Sequence, residues 1–450
     1  MHLLIIGGSD AGISAALRAR ELDRGADVTV VVSDSFPNYS ICGLPFYLSG
    51  EVPNWRRLAH RTVEDIEHEG IGLWLSHTAT AIDPTAKTVE IVDAGGQTRA
   101  LSYDHLVIAT GAAPAPVEVP GADLPGVYPL HTMEDSFRVH QHITEQDPQS
   151  AVIIGAGYIG LEMADAFTHR GLQVTVIVRS QVLRATIDVG LARVVEDELH
   201  RRGVEVVKQV NVEAIQGDGS RLVIAGSNGF RRNAELVLLA GGVRPSSELA
   251  ASAGIHTGMR GAIRVDRAMA TNVPNIYAAG DCVETWHRMT GQNTYLPLGT
   301  TAHKQGRVAG ENAAGGHRQF AGSLGTQVVK VFDLAVARTG LRDEEARNAG
   351  FDPFTTESRI WDHKAYYPGA HELLIRVTGD RRRGRLLGGQ IVGHWQAEVA
   401  KRIDIFATAL YHDMSVEDLN DLDLSYTPPV GSPWDAVQMS AQDWARQLPG

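Results

Sequence analysis

Two glycine-rich turns, each between a short apolar run and a helical pattern, constrain this chain more than any other feature. The first occupies residues 7–12 (Gly-Gly-Ser-Asp-Ala-Gly), between a predicted strand at 3–6 and a helix that reaches about Leu22. A second strand at 28–32 completes a βαβ unit. Such a turn presents the free N–H groups of a helix N-terminus to a pyrophosphate. Ser9 replaces the middle glycine of the usual fingerprint.

The second turn has the intact fingerprint Gly-Ala-Gly-Tyr-Ile-Gly at 155–160. A predicted strand at 151–154 precedes it, a helix runs to about Arg170, and another strand follows at 174–178. A single fingerprint can be a chance loop, but two copies, each inside its own βαβ unit, predict two Rossmann-like dinucleotide-binding domains.

Two further strands support these domains. One, at 106–111, ends in a small-residue turn, and another, at 273–281, ends in Gly-Asp. A carboxylate at such a strand end accepts strong hydrogen bonds from sugar or ribityl hydroxyls.

The composition changes after about Ala321. Residues 328–332 and 373–377 read as antiparallel strands, 379–385 as an exposed basic hairpin turn, and 396–412 as a helix. The sequence therefore predicts a C-terminal domain of mixed strands and helices.

Composition excludes several classes of function. The formal net charge of -12 argues against a general nucleic-acid binder. We expect no membrane span, since no apolar run reaches the eighteen or so residues needed, and no signal peptide, since the opening apolar run is too short. No metal site is indicated. Two cysteines in 450 residues give no disulfide framework, which favours a reducing cytoplasm.

Those two cysteines are Cys42 and Cys282. Cys42 lies about thirty residues after the first turn, in the segment Asn-Tyr-Ser-Ile-Cys-Gly-Leu-Pro-Phe-Tyr at 38–47. A cysteine between two dinucleotide turns indicates electron transfer from one nucleotide, through another, to sulfur. Cys282 follows the Gly-Asp turn, where packing is the better interpretation.

These residues together resemble the single-cysteine branch of the pyridine nucleotide–disulfide oxidoreductases, and within it the coenzyme A disulfide reductases most. The resemblance covers essentially the whole chain. It rests on the motifs at 40–45, 155–162, 276–281, 304–307, 363–369 and 426–429.

The resemblance implies a glutathione-reductase-like α/β fold, with two Rossmann-like domains for FAD and NAD(P) and a C-terminal α+β dimerisation domain. The FAD domain would take residues 1–115 and 245–320, the NAD(P) domain 116–244, and the dimerisation domain 321–450.

The resemblance also implies the cofactor-binding residues. FAD would be held by Gly7, Gly12 and Asp281, and the nicotinamide cofactor by Gly155, Gly157 and Gly160, with Tyr158 gating the nicotinamide pocket. The turns and strand ends themselves add Ser9, Asp34, Thr110 and Gly111 as candidates for FAD and Arg179 for the nicotinamide cofactor.

The strand ends bear on cofactor choice. A free ribose 2′-hydroxyl is usually bound by an acid at the end of the second strand, but that place holds Val178, followed by Arg179. An arginine there accommodates a 2′-phosphate, so NADPH or dual use is favoured over NADH alone. In the FAD unit the same place holds Val32, and Asp34 is the substitute ribose ligand.

In the implied mechanism, electrons from NAD(P)H pass through FAD to a mixed disulfide between Cys42 and coenzyme A. The released Cys42 thiolate then attacks coenzyme A disulfide. We expect a depressed Cys42 pKa, helped by a predicted helix at 43–49. Relatives with a Cys-x4-Cys pair have their second sulfur at position 47, where this chain has Tyr47. Any redox disulfide of Cys42 must therefore form outside this motif.

The departing thiol needs a general acid. By resemblance, tyrosines of the partner subunit in a homodimer approach Cys42, and Tyr367 and Tyr426 are the candidates, with Tyr366 weaker. The alternative is that they are only aromatic interface residues. His363 is interpreted as structural.

Coenzyme A carries several phosphate charges, which arginine binds well. The candidate substrate-binding residues are Arg18, Arg20, Arg57, Arg61 and Ser40, with Arg56 in the same basic cluster. For any one of these arginines a solvated surface position is the competing interpretation.

Three alternatives stay open. One is a persulfide or polysulfide reductase; such enzymes often carry a C-terminal rhodanese domain, for which we expect no room here. Another is an NADH oxidase or peroxidase. Those that resemble this chain have a histidine where it has Asp10, which disfavours peroxide chemistry. The third, a flavoprotein that only carries electrons or senses redox state, would not need Cys42.

Overall fold

The computed structural model describes residues 1–219 and 221–448. The last two residues of the predicted dimerisation domain lie outside this range. The strands are β1 (His2–Ile6), β2 (Asp27–Val31), β3 (Ile71–Trp74), β4 (His77–Asp83), β5 (Thr88–Asp93), β6 (Thr98–Ser102), β7 (His105–Ile108), β8 (Ala112–Pro114), β9 (Val127–Pro129), β10 (Ser150–Ile154), β11 (Gln173–Val178), β12 (Glu205–Lys208), β13 (Val212–Asp218), β14 (Arg221–Gly226), β15 (Phe230–Ala234), β16 (Leu236–Leu239), β17 (Val243–Pro245), β18 (Ile276–Ala278), β19 (Thr285–His287), β20 (Gln292–Thr294), β21 (Gln327–Val331), β22 (Leu334–Gly340), β23 (Pro353–Trp361), β24 (Glu372–Asp380) and β25 (Leu386–His394).

The helices complete the element order. They are α1 (Asp10–Leu22), α2 (Leu44–Ser49), α3 (Val63–His68), α4 (Met133–Gln146), α5 (Tyr158–His169), α6 (Val189–Arg201), α7 (Glu248–Ser252), α8 (Gly299–Ala313), α9 (Asp343–Asn348), α10 (Val399–Tyr411), α11 (Val416–Asn420) and α12 (Ala436–Gln447). Short 3₁₀ turns occur at Ile41–Gly43, Trp55–Leu58, Ser227–Gly229 and Met259–Gly261. None of the described helices combines the length and apolar composition needed to cross a bilayer.

The chain forms two compact units. The first contains Met1–Pro116, His131–His140 and Gly242–Ser323. The second contains Val117–Leu130, Gln141–Gly241 and the residues from Leu324 onward. The predicted four-segment domain boundaries stay a prediction.

The first unit is built on a parallel sheet in the order β18-β7-β1-β2-β3. Successive side chains of a strand point to opposite faces. Leu3 and Ile5 of β1 therefore pack with α1 and α8, whereas Leu4 and Ile6 pack on the other face with residues of the antiparallel sheet β4-β5-β6. Burial on both faces explains why β1 is continuously apolar.

Helices α1 and α8 of this unit pack closely because two glycines of α8 face the backbone of α1. A Cβ on Gly306 would lie 2.2 Å from the carbonyl oxygen of Ala11, and one on Gly310 would lie 2.2 Å from that of Ala15. Any larger residue at either position would push the helices apart, and α1 begins at the first glycine turn.

The second unit contains a parallel sheet in the order β12-β11-β10-β16-β9, with the antiparallel sheet β13-β14-β15 beside it. Val152 and Ile177 share a core with Ile215 and Ile224 of the smaller sheet. This is a second Rossmann-like arrangement, as the fingerprint at 155–160 predicts.

The remainder of the second unit is an antiparallel sheet in the order β21-β22-β25-β24-β23, covered by α10 and α12. Glycines of the sheet meet aromatic rings of these helices: a Cβ on Gly389 would lie 2.8 Å from Phe406, and one on Gly379 would lie 2.5 Å from Trp444. The expected basic turn connects β24 to β25, although Gly379 and Asp380 themselves are buried in β24. The predicted α/β fold class is confirmed.

Candidate active site

The first glycine turn has a backbone that only glycine fits. Gly7 has φ +113°, and a Cβ there would lie 2.1 Å from the carbonyl oxygen of Ala109. A Cβ on Gly12 would lie 1.9 Å from the carbonyl oxygen of Gly7. Ser9, at the N-cap of α1, is exposed and makes no side-chain cap hydrogen bond. The helix N-terminus thus faces solvent as a pyrophosphate site requires.

Asp281 lies at the carboxyl end of the same sheet. Burial, together with the nearby charge of Asp10, raises the Asp281 pKa to about 6, while a hydrogen bond from the Leu298 N–H opposes this shift. A half-buried carboxylate in this position fits a cofactor hydroxyl as its hydrogen-bond donor.

The remaining predicted FAD ligands of the first unit are partly exposed. Thr110 donates its hydroxyl to the Ser246 carbonyl at 2.5 Å, and the backbone of Gly111 has φ +66° with open space beside it. Asp34 accepts a hydrogen bond from the Phe36 N–H at 2.8 Å.

The second glycine turn repeats the geometry of the first. Gly155 has φ +115°, and a Cβ there would lie 2.2 Å from the carbonyl oxygen of Ala240. A Cβ on Gly160 would lie 2.1 Å from the carbonyl oxygen of Gly155. Around Gly157, by contrast, no heavy atom would lie within 4 Å of a Cβ. The protein itself does not need a glycine at position 157, whereas a pyrophosphate lying against the backbone does.

Two titratable groups of α5 follow the second turn. Burial raises the pKa of Tyr158 to about 12, and its hydroxyl donates to the Gln327 side chain. Burial and the charge of Asp165 raise the pKa of Glu162 to about 7. Lys330 forms an ion pair with Asp165 at 3.0 Å.

Arg179 is exposed directly after β11. The loop that it begins is fastened to the C-terminal sheet domain of the same unit. Arg342 donates to the Arg184 carbonyl at 2.9 Å, and the Gln390 side chain exchanges two hydrogen bonds with Asp188. A loop held in this way presents Arg179 from a fixed backbone.

Cys42 lies on the 3₁₀ turn Ile41–Gly43, which leads directly into α2. Its side chain is exposed. The Asn38 N–H donates to the Gly8 carbonyl at 2.7 Å, which ties the segment before Cys42 to the first glycine turn. The helix predicted at 43–49 is present as α2.

Tyr47 is buried on α2, and its ring stacks on that of His140 with centroids 5.0 Å apart. It therefore fills, with an aromatic core contact, the position that a second redox cysteine takes in two-cysteine relatives.

Cys282 has the opposite environment to Cys42. It is fully buried, and its thiol points at the carbonyl oxygens of Ala279, at 3.4 Å, and Ile108, at 3.6 Å. Burial raises its pKa to about 11. Since the thiolate is the reactive form, these observations agree with the packing role expected for Cys282.

The structure separates the predicted substrate-binding arginines. Arg18 is paired with Glu21 and Glu311, each at 2.8 Å. Arg20 donates to the backbone carbonyls of Glu69, Arg24 and Ala26. Both guanidinium groups already form hydrogen bonds or ion pairs with other residues of their own unit.

The arginines nearer Cys42 are different. Arg56, Arg57 and Arg61 are exposed, and the guanidinium of Arg56 lies 4.4 Å from the ring centroid of Trp55. Ser40, which is half-buried, is fixed by a backbone hydrogen bond to Leu58 at 2.8 Å.

The candidate tyrosines lie on two loops of the second unit. Tyr367 and Tyr426 are 42% and 44% exposed, and Tyr366 is 75% exposed. The ammonium of Lys364 lies 6.0 Å from the ring centroid of Tyr426. His363 is buried with its Nδ1 3.0 Å from Asp362, consistent with its structural interpretation.

The sequence analysis missed His303. This residue of α8 lies across the first turn of α1, with its Nδ1 2.9 Å from the hydroxyl of Ser14 and its Nε2 3.4 Å from the carboxylate of Asp10. An imidazole is therefore present beside position 10, although it comes from another helix. Since 289 residues separate Ser14 from His303, no local pattern could have paired them.

Within the described ranges, no group of three or more His, Cys, Asp or Glu side chains is arranged to hold a metal ion.

Residues 1–306 match the model of the pyridine nucleotide-disulphide oxidoreductase family, and 326–436 match its dimerisation domain. The chain belongs to this family. It is an NAD(P)H-dependent flavoprotein reductase, and the dimerisation domain supports a homodimer. The glycine turns described above fit the two dinucleotides that the family uses.

The curated relatives cover nearly the whole chain. The CoA-dependent NAD(P)H sulfur oxidoreductase of Pyrococcus abyssi is 36% identical over 98% of this chain and 97% of its own. The NADH oxidase of Methanocaldococcus jannaschii is 33% identical over 100% of this chain and 99% of its own. The coenzyme A disulfide reductase of Staphylococcus haemolyticus is 29% identical over 97% and 98%.

Solved structures show the same likeness. An NAD-dependent persulfide reductase from A. fulgidus has a TM-score of 0.95 and 38% identity, over 99% of this chain and 83% of the other. Another neighbour is an engineered NADPH oxidase, derived from the water-forming NADH oxidase of Lactobacillus brevis and bound to NADPH. It has a TM-score of 0.94 and 26% identity, over 100% of this chain and 99% of the other.

Proposed function

We propose that the protein reduces coenzyme A disulfide, or a closely related small disulfide, through a mixed disulfide between Cys42 and coenzyme A. The observation that carries this proposal is the exposed Cys42 with a buried, stacked Tyr47 five residues later. Because the motif supplies one sulfur, the second must come from the substrate.

The chemistry at Cys42 is thiol–disulfide exchange. The Cys42 thiolate attacks one sulfur of the disulfide, forms the mixed disulfide and expels one coenzyme A thiolate, which takes up a proton. The first glycine turn and Asp281 would hold FAD, which when bound would supply, from NAD(P)H, the electron pair that this mixed disulfide requires. With that pair, the second coenzyme A leaves as a thiol and Cys42 returns to the thiolate.

We propose Tyr367 and Tyr426 of the partner subunit as proton donors to the leaving thiols. Both phenols are well exposed on loops of the dimerisation domain, as a group that must reach a site across a dimer interface has to be.

For the phosphates of coenzyme A we propose Arg57 and Arg61, with Ser40 next to Cys42. These arginines are exposed. Arg18 and Arg20 remain weaker candidates because their N–H groups already serve carboxylates and carbonyls.

We propose NADPH as the preferred nicotinamide cofactor. Val178-Arg179-Ser180 follows the pattern built into the engineered NADPH oxidase, where adjacent Asp, Ala and Met were replaced by Ala, Arg and Ser. An acid would repel a 2′-phosphate, whereas arginine and serine donate hydrogen bonds to it.

A persulfide or polysulfide reductase is the second candidate. Relatives from Pyrococcus at 35–36% identity are named for CoA-dependent sulfur or polysulfide and persulfide reduction, a higher identity than that to the coenzyme A disulfide reductases. Both reactions use the same Cys42 chemistry, and they differ in the sulfur species attacked.

An NADH oxidase is less favoured because Asp10 replaces the histidine of peroxide-active members. His303 beside Asp10 makes this distinction weaker than the sequence alone indicates.

The dependence on a thiolate agrees with a reducing cytoplasm, which we propose as the location.

The first test identifies what is bound to Cys42. The purified protein is denatured with free thiols blocked, then reduced, and the released molecule is identified by mass spectrometry. Coenzyme A supports the proposal. A persulfide on Cys42 without coenzyme A supports the second candidate, and a sulfenic acid points to peroxide chemistry.

The second test compares the two cysteines. Cys42→Ser should abolish reduction of coenzyme A disulfide while leaving flavin reduction by NADPH intact. Cys282→Ser, whose hydroxyl can donate to the same carbonyls, is the matched control and should retain turnover. Disulfide reduction that survives in Cys42→Ser would refute the proposed mechanism.

A further inference from the structure

Two loops of the dimerisation domain carry the candidate tyrosines. Loop 362–371, between β23 and β24, carries Tyr367, and loop 421–435, between α11 and α12, carries Tyr426. Neither loop contains a helix or strand that would fix its shape. Whatever holds these loops therefore decides where the two phenols lie.

Arg402, on α10, contacts both loops. It is 4% exposed, and its Nη2 donates to the Asp362 carbonyl at 2.6 Å. Its Nε and Nη2 also donate to the Asp435 carboxylate at 3.1 and 2.9 Å. Nη1 donates to the Ala397 carbonyl at 2.7 Å, just before α10. One buried cation thus joins the first residue of one loop to the last residue of the other.

The two acceptors of Arg402 themselves organise their loops. The Asp362 carboxylate accepts the N–H groups of His363 and His371, each at 2.9 Å, and so closes loop 362–371 at its base. The Asp435 carboxylate accepts the Val437 N–H at 2.9 Å as the N-cap of α12. The guanidinium thus joins the two aspartates that close these loops.

The far end of loop 421–435 is also fixed from α12. The Gln438 amide donates to the carbonyls of Asn420 and Leu422 at 2.8 and 2.7 Å. Lys364 of the first loop lies 6.0 Å from the ring centroid of Tyr426 in the second, so the loops face each other. The Arg402 guanidinium is a buried group that bonds both loops.

A buried ion pair is weak evidence for stability, because desolvation offsets much of the attraction. Its best-attested use is to fix one arrangement among several. Arginine suits that use here because its N–H donors are held in a rigid planar fork, whereas the three donors of an ammonium rotate about a single compact nitrogen.

We propose that Arg402 is a positioning residue that sets the separation of Tyr367 and Tyr426, and thereby their reach to the leaving thiol. This inference rests on the proposed acid role of the tyrosines. Arg402 itself touches no reacting atom, so its effect should appear in disulfide turnover and not in the reduction of the flavin by NADPH.

The test uses full-length holoenzyme with Arg402→Met and Arg402→Lys. We expect kcat for coenzyme A disulfide to fall about tenfold or more in Arg402→Met, since small misplacements of a catalytic group have large effects. The rate of flavin reduction by NADPH should stay within about twofold. Arg402→Lys should restore part of the stability but little of kcat, because it keeps the charge and loses the fork.

A second readout does not depend on activity. Hydrogen exchange should increase in 362–371 and 421–435 in Arg402→Met and remain unchanged elsewhere in the domain. Arg385→Met is the matched control: it removes an arginine of the same domain whose partner, Asp413, lies outside both loops. If Arg402→Met keeps kcat, or if disulfide turnover and flavin reduction fall together, the positioning role is wrong.

Tyr367→Phe and Tyr426→Phe, measured alongside, separate this inference from the proposed function. If neither substitution lowers kcat, the proposed acid role fails. If at least one lowers kcat while Arg402→Met does not, only the positioning role fails.

Discussion

The two glycine turns of this chain share a backbone and differ in what they leave open. Gly7 and Gly155 have φ +113° and +115°, and a Cβ on either would overlap a carbonyl oxygen of a neighbouring strand end. The central position, however, is exposed Ser9 in one turn and Gly157 in the other. The fold thus requires the outer glycines, whereas the space beside Gly157 is open.

The strand ends differ in a second way. In each βαβ unit the second strand ends without an acid. Asp34 follows shortly after that strand in the first unit, whereas Arg179 follows it directly in the second. A carboxylate accepts ribose hydroxyls, whereas a guanidinium donates to a phosphate. This difference is the reason why we propose FAD at the first turn and NADPH at the second.

The largest effects are expected from the outer glycines. Gly7→Ala should prevent FAD retention, and Gly155→Ala should abolish flavin reduction by NADPH while FAD stays bound. Each should cost about 3 kcal/mol or more, because backbone strain adds to steric overlap. Flavin absorbance and thermal unfolding measure both effects.

Gly171→Ala is the matched control for these two variants. Gly171 also has positive φ, at +88°, but no atom would lie within 4 Å of its Cβ. It should cost only about 1 kcal/mol. Equal losses in Gly171→Ala and Gly155→Ala would show that φ alone, without the carbonyl overlap, governs the turn.

Arg179→Ala should change coenzyme choice next most strongly. We expect kcat/KM for NADPH to fall about 10- to 100-fold, with little change for NADH, because a charge-assisted contact to the 2′-phosphate is lost. Steady-state kinetics with both coenzymes measure the ratio. Arg231→Ala, an exposed arginine of the same unit, is the control. An equal fall for both coenzymes would contradict a 2′-phosphate role for Arg179.

The half-buried carboxyl of Glu162, near the second turn, gives a pH-dependent effect. Because the folded-state pKa of Glu162 is raised from 4.5 to about 7, the folded protein loses stability as pH rises through this interval. Glu162→Gln should remove that loss, on the order of 1–2 kcal/mol at pH 8 without nicotinamide cofactor, and change little at pH 4.5.

Chemical denaturation at the two pH values tests this prediction. Glu213→Gln removes an exposed carboxyl of the same unit and should be neutral at both. A Glu162→Gln effect of the same size at pH 4.5 would rule out the ionisation as its cause.

The smallest effects are expected at the central positions. Gly157→Ala should raise KM for NADPH several-fold without a shift in thermal midpoint, since the Cβ meets only the ligand. Ser9→Ala should leave FAD bound and weaken its retention slightly by removing one hydroxyl. A clear loss of stability in Gly157→Ala would break the distinction between residues required by the fold and by the ligand.

Much of the site could be predicted from local pattern. The βαβ units, the motif of Cys42 and the absence of a second cysteine at Tyr47 all follow from residues close together in the chain. Local pattern was weakest for the arginines. The sequence groups Arg18 and Arg20 with Arg57 and Arg61, but folding places Glu311 beside Arg18 and backbone carbonyls around Arg20.

The sequence by itself determined the two βαβ units with their glycine turns and the short helix after Cys42, because periodicity and glycine content act over a few residues. Only the tertiary structure decided which charged groups remain available. It paired Asp10 with His303 and buried Cys282 while leaving Cys42 exposed. It also placed Arg402 between two loops that are far apart in the sequence. These outcomes depend on contacts between residues far apart in the chain, and burial changes what each group can bind or release.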